Sequence, residues 1–160
     1  MEIERRIAEL GFELPGEPSA PPGFEFSFDW VRVRGNRVFV SGHSPLAPDG
    51  TLAGPFGAVP SEVDLDAATD AARDTALAVL GSLARAIGDL DRISAWLTVT
   101  GSVNADHGFT QTTTVVNGFS DLVLAIFGPE VGAHARTALG AAALPMNNTV
   151  VVSAELEIDG

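Results

Sequence analysis

A chain of 160 residues, 46% of them hydrophobic and none of them cysteine, is long enough for one buried core but has no means of making a disulfide, a thiolate metal site or a cysteine nucleophile. A formal net charge of −12 opposes binding along a phosphate backbone, which draws on clustered Lys and Arg, so no nucleic-acid partner is expected. His43, His107 and His134 show no metal-ligand spacing, so no metal site is expected.

The first residues mix both charge signs and lead into no apolar signal core. Nowhere is there a run of about 18 uninterrupted apolar residues, so the reading is a cytoplasmic protein with no membrane contact. Ile3, Ile7 and Leu10 have helical spacing and predict a short amphipathic helix within residues 1–12. Pro15 to Gly23 breaks helix and strand alike, which makes residues 1–25 an N-terminal helix and connector on a single domain of 1–160. From Phe26 the pattern is strand-like through Phe28, Trp30, Val31 and Val33. Gly35-Asn36 then punctuates before Arg37-Val38-Phe39-Val40-Ser41, a hairpin signal. Pro48-Asp49-Gly50 is turn chemistry, because Pro presets φ and Gly accepts positive φ.

A long helix is predicted to open at Ser61, with Asp64 three residues on as a capping-box-like pair. Leu65, Ala68, Ala72, Ala76, Val79, Leu80, Leu83 and Ile87 keep its apolar period, and the alanines permit close approach to a sheet. A strand follows at Ile93 to Val99, then a second helix over 111–127 with Val115, Phe119, Leu122 and Ile126 along one side, ended by Gly128-Pro129. Arg136 to Leu144 and Thr149 to Ile158 are the last two strands, and Val150, Val152, Ala154, Leu156 and Ile158 share one face. The order ββαβαββ is an α+β pattern whose two helices can cover one face of a sheet. The other face must be buried too. The alternating Val and Leu of the terminal strands offer an apolar surface for that, which predicts self-association through the sheet.

Several segments also occur in a specific order: Gly35-Asn36-Arg37-Val38-Phe39-Val40-Ser41-Gly42, then Pro45, Asp49-Gly50-Thr51, Val116-Asn117, and Ala135-Arg136-Thr137-Ala138 with Leu144-Pro145 after it. Together they span Phe26 to Ile158 and resemble the RidA (YjgF) family of reactive-intermediate imine/enamine deaminases. The resemblance implies a chorismate-mutase-like fold assembled as a homotrimer, with the sheets forming a central barrel and the clefts lying between subunits. In that family an arginine in the place of Arg136 clamps the substrate carboxylate. The family reaction hydrolyses a 2-imino acid, formed from its enamine, to a 2-keto acid and ammonia without cofactor or metal, commonly with help from a glutamate on the last strand. A planar guanidinium fits a carboxylate bidentately, which supports the clamp on chemical grounds. The competing reading is an arginine paired with a surface acid, in a chain that has 21 of them.

The chain departs from the family pattern at the glutamate. Six residues past Pro145 stands Val151, which can neither accept a proton nor orient water. Strand alternation keeps Ser153 and Glu155 on the same face, and a longer loop would move one of them toward the cleft. Phe28 stands where many members carry a tyrosine, Ser41 and Gly42 match, Asn117 matches an asparagine, and Ala138 replaces a cysteine found in some members. Trp30 is either a substrate wall or a core or subunit contact. The candidate substrate-binding set is therefore Phe28, Ser41, Gly42, Asn117, Arg136, Ala138 and Val151, with Arg136 as the catalytic candidate. Two functions stay open. One is a deaminase of the 2-iminobutanoate/2-iminopropanoate type with an altered catalytic arrangement, and the other is a weakly catalytic or non-catalytic binder of small carboxylates, or an interaction protein. An endoribonuclease finds no histidine pair here for acid-base cleavage of RNA.

Overall fold

The computed structural model of the chain describes residues 1–160. Helix α1 (Glu2–Glu9) precedes strands β1 (Val31–Arg34) and β2 (Arg37–His43), helix α2 (Leu65–Ile87), strand β3 (Ile93–Asn104), helix α3 (Thr112–Val131), and strands β4 (Ala135–Ala141) and β5 (Val150–Ile158). After α1 this is the expected ββαβαββ order of an α+β fold. One sheet takes the order β1-β2-β5-β3-β4 and is antiparallel except where β4 runs parallel to β3. β4 is therefore an edge strand, reached from β3 through α3.

Local chemistry explains the boundaries, including those that differ from expectation. α2 starts later than Ser61 because Asp64, with an extended backbone, is itself the N-cap: its Oδ1 accepts the Ala67 N–H at 2.7 Å. Ser61 instead donates its amide and its hydroxyl to the Asp106 carboxylate, tying the loop before α2 to the end of β3. Phe26 to Trp30 form no strand. Their rings pack on one another, with Trp30 4.8 Å from Phe26 and 4.9 Å from Phe28 between centroids, so the alternation seen there marks an aromatic cluster. β3 continues past Gly101 because that glycine is a contact and not a break; a Cβ there would lie 2.6 Å from Val116 on α3. Gly128, at φ 81°, does interrupt α3 before one further turn.

β5 alternates strictly, and Val150, Val152, Ala154, Leu156 and Ile158 are all buried on the helix-covered face with Val38, Val40, Val99 and Val103. The apolar face assigned above to subunit contact is thus the core face. The open face is largely polar and carries Thr98, Thr100, Ser153 and Glu155 beside Phe39. α3 is long and apolar enough to cross a membrane, but Val115, Phe119, Leu122 and Ile126 are buried in this core.

The helices meet closely at Gly118, where a Cβ would lie 2.1 Å from the Thr69 carbonyl oxygen of α2. Gly118→Ala gains about 1 kcal/mol of helix propensity. It also drives a methyl group into backbone that cannot rotate away, and overpacking typically costs about 1–3 kcal/mol. The clash dominates, so the urea midpoint of Gly118→Ala is expected to fall at unchanged m-value.

His43 is the other constrained core group, 2% exposed and 4.9 Å from the Trp30 ring. The Ser41 carbonyl, 2.6 Å away, can only accept, so Nδ1 carries the proton and Nε2 faces the Ser82 hydroxyl at 2.8 Å. Burial pushes the imidazole pKa down from 6.5 to about 4, opposed by the Ser41 carbonyl and aided by the charge of Arg85. The unfolded chain therefore takes up this proton at a higher pH than the folded one. The contribution is complete above pH 6.5 and is lost as pH falls through about 4, on the order of 3 kcal/mol in all. Urea titrations should show stability falling from pH 6.5 to 5, with a shallower slope in His43→Gln.

Candidate functional site

Arg136 lies opposite Val99 in the β3–β4 ladder, and Val99 is buried on the helix-covered face. Arg136 therefore rises on that face at the sheet edge, beside α3. Its Nη1 donates to Asn117 Oδ1 at 2.8 Å and to Ser120 Oγ at 3.1 Å, and its Nη2 donates to the Thr113 carbonyl at 3.3 Å. All three acceptors are neutral. Arg5, Arg6, Arg37 and Arg73 each take a carboxylate, whereas Arg136 has none within salt-bridge distance, which removes the surface ion-pair reading. Of its five donors, Nε–H and one Nη2 hydrogen stay free on neighbouring nitrogens, the arrangement a carboxylate can bridge. Ala138, opposite Gly101, is half-buried against the core on the same face of β4 as Arg136.

Ser120 and His134 also belong to this group. His134 Nε2 is 2.8 Å from Ser120 Oγ, and His134 and Arg136 line one cavity with Ser120. Testing the histidines for metal spacing missed this pair, because Ser120 sits on a helix and His134 beyond its end. The available signal was the two-residue spacing from His134 to Arg136, which puts both on one side of an extended chain.

Phe28, Gly42 and Val151 line a different cavity of about 260 Å³, with Phe24, Trp30 and Met146 among its other walls. A Cβ on Gly42 would lie 2.7 Å from Val151 Cγ1, so this position accepts no side chain while valine is its neighbour. Trp30 lines this cavity and also packs against His43. Ser41 is half-buried and donates its hydroxyl to the Asp29 carbonyl at 2.7 Å, which anchors the aromatic segment and is not directed at the cavity. Asn148 contributes a buried Oδ1 with no partner. Glu155 is paired with Arg37 at 3.4 Å and lines, with Ser153, a separate shallow depression on the open face. The carboxylate lining the Val151 cavity is that of Glu25, an exposed residue of the irregular segment.

The candidate residues thus fall into two groups. Asn117, Arg136 and Ala138 stand at the β4 edge on the helix-covered face; Phe28, Ser41, Gly42 and Val151 stand around β2 and the start of β5, with Val151 on the open face. β2 and β4 are separated by β5 and β3, about 14 Å at the usual strand spacing. A molecule the size of pyruvate cannot touch both within one chain.

No family model matches the chain. The chain is 36% identical over 158 residues to protein TCP17 of Trypanosoma cruzi, covering 98% of this chain and 94% of that protein. Among solved structures it is similar to Atu1372 of Agrobacterium tumefaciens, a protein of unknown function (34% identity, TM-score 0.86, 99% of this chain and 92% of that one). It is also similar to a proposed endoribonuclease of Shewanella oneidensis MR-1 (28% identity, TM-score 0.87, 98% of this chain and 99% of that one). At lower identity the fold is shared with RidA from an Antarctic Psychrobacter (19%, TM-score 0.57, 89% of this chain and 94% of that one) and YjgF of Escherichia coli (17%, TM-score 0.56, 91% of this chain and 98% of that one). The chain is thus a near-full-length relative of TCP17 and Atu1372, and its fold is that of RidA and YjgF, matched along most of its length.

Proposed function

We propose that this protein binds small 2-keto and 2-imino acids through Arg136 and hydrolyses the imino acids to keto acids and ammonia, in a cleft completed by a second copy of the chain. The observation that carries this reading is a half-buried guanidinium held in place by three neutral acceptors, with two donors left for a carboxylate. The chain has no lysine, all nine of its basic residues being arginine, so the imine enters with the substrate and is not formed on the protein. Hydrolysis then needs a positioned water and a group that moves protons, and no cofactor or metal. A cysteine-free chain suits a reducing compartment, and the cytoplasm is where we place it.

Assembly follows from the division of the candidate residues. Each group carries exposed apolar surface, Leu139 on β4 and Phe28 and Phe24 on the aromatic segment, of the kind that subunit contact covers. In a homotrimer whose open sheet faces form a barrel, the β4 edge of one protomer would meet the aromatic cavity of the next. The substrate carboxylate would then rest on Arg136 and its side chain among the rings. A second reading, a carboxylate binder without efficient chemistry, is favoured by Val151, an aliphatic side chain beside Gly42 where a catalytic glutamate is expected.

Pyruvate titrated calorimetrically is expected to bind the wild type, to bind Arg136→Lys weakly and to show no heat with Arg136→Ala. The loss is on the order of 2–5 kcal/mol for a desolvated charge pair. Unchanged affinity in a folded Arg136→Ala protein removes the clamp. Sedimentation equilibrium at micromolar concentration should give three times the 16.6 kDa chain mass, and a single-chain mass refutes the shared cleft.

A further inference from the structure

The turn from α3 into β4 sets a histidine against the clamp. His134 Nδ1 is 2.7 Å from the Gly132 carbonyl oxygen, which can only accept, so the proton is on Nδ1 and the lone pair on Nε2. Nε2 accepts a hydrogen bond from the Ser120 hydroxyl at 2.8 Å, while Ser120 Oγ itself accepts from Arg136 Nη1 at 3.1 Å. On α2, Thr69 and Thr75 fold their hydroxyls back onto the Leu65 and Ala71 carbonyls of the preceding turn. Ser120 instead directs its hydroxyl off its own helix, between a cation and a base. Ser120, His134 and Arg136 open into one cavity of about 380 Å³ completed by Leu124 and Ala133, with no carboxylate in its lining.

We propose that His134, bridged to Arg136 through Ser120, is the proton-transferring residue for imine hydrolysis, the role Val151 cannot fill. The proposal rests on the carboxylate-clamp reading. In a 2-imino acid the carbon that water attacks is bonded directly to the carboxylate carbon, so a useful base must stand beside the guanidinium, with reacting atoms about 3–3.5 Å apart. The water oxygen forms the C–O bond as the C=N π pair moves onto nitrogen, and the surplus water proton passes to Ser120 Oγ as the Ser120 hydroxyl proton moves to Nε2, leaving a carbinolamine and imidazolium. Imidazolium returns a proton by the same path to the amine nitrogen. The C–N pair then leaves with ammonia while the hydroxyl oxygen closes the C=O bond, and the hydroxyl proton reaches ammonia through solvent. Iminium and water have become keto acid and ammonium. Ser120 is a bridge and not a nucleophile: it is buried in mid-helix, where backbone N–H groups are engaged in their own helix and none is free to form an oxyanion hole.

The test generates a short imino acid in situ with an amino-acid oxidase, follows its hydrolysis, and measures pyruvate affinity beside it. The expected result for His134→Ala is a rate lower by about 10²–10⁴-fold at retained pyruvate affinity, partly restored by added imidazole in proportion to its concentration. Ser120→Ala should lose less and not respond to imidazole. Should His134→Ala fail to fold, His134→Asn keeps a donor for the Gly132 carbonyl without a basic nitrogen and carries the comparison. A wild-type rate in a folded His134 variant overturns the proposal and leaves the clamp standing, as does a rate lost at retained pyruvate binding with no imidazole rescue. Wild type that binds pyruvate yet hydrolyses nothing also overturns it and leaves a binder. Wild type that does not bind pyruvate overturns the clamp reading itself.

Discussion

Gly118 meets the Thr69 carbonyl and Gly101 meets Val116, so α3 lies closer to α2 and to β3 than a side chain at either position permits. That approach holds Thr113, Asn117 and Ser120 over the β4 edge. The bonds they make to Arg136 run from 2.8 to 3.3 Å, and a helix displaced outward by an ångström would turn them into contacts too long to orient anything. The guanidinium is thus aimed by packing between two helices and a strand, and the aiming residues are neutral. A carboxylate in any of their places would orient the arginine equally well and would also occupy it.

The same distinction between local and distant charge makes a net charge of −12 compatible with the anionic ligand proposed above. At physiological ionic strength fields decay over about 8 Å, so acids on remote surfaces such as Glu155, already paired with Arg37, weigh little at the β4 edge. What matters there is one half-buried cation with unused donors and no counter-charge.

Elements that depend on local pattern were legible in the sequence: the period of α2, the strict alternation of β5, the turn at Pro48-Asp49-Gly50. The errors share a cause, which is that the sequence carries no record of which partner a pattern serves. Phe26, Phe28 and Trp30 alternate as a strand would, yet they pack on each other. The apolar face of β5 looked like a surface for neighbouring subunits and is the floor of the protein's own core. Ser61 carries a capping residue type, but Asp106, from beyond the end of β3, claims its hydrogen bonds. Within the candidate site, Arg136, Gly42 and Val151 could be named from the family pattern. Their separation follows from the strand order, which puts β5 and β3 between β2 and β4, and from the register that sets Arg136 opposite buried Val99 while Val151 alternates to the open face.

In the mechanism proposed above, the absence of a glutamate at Val151 and the presence of His134 are physically linked. The Val151 side chain stands against Gly42 in a cavity walled in part by aromatic rings and Met146, where Glu25 already brings a carboxylate and a second one would be partly desolvated beside it. Moving proton transfer to the Arg136 side changes what the base has to be. A carboxylate within reach of that guanidinium would form an ion pair and compete with the substrate for the two free donors. A neutral imidazole does not compete. It reaches the clamp through a hydroxyl that can accept from arginine and donate to nitrogen at once, so the base stays available and the guanidinium keeps its charge for the ligand. Histidine is therefore the side chain that can stand beside an unpaired arginine and still offer a nitrogen lone pair without pairing with its charge.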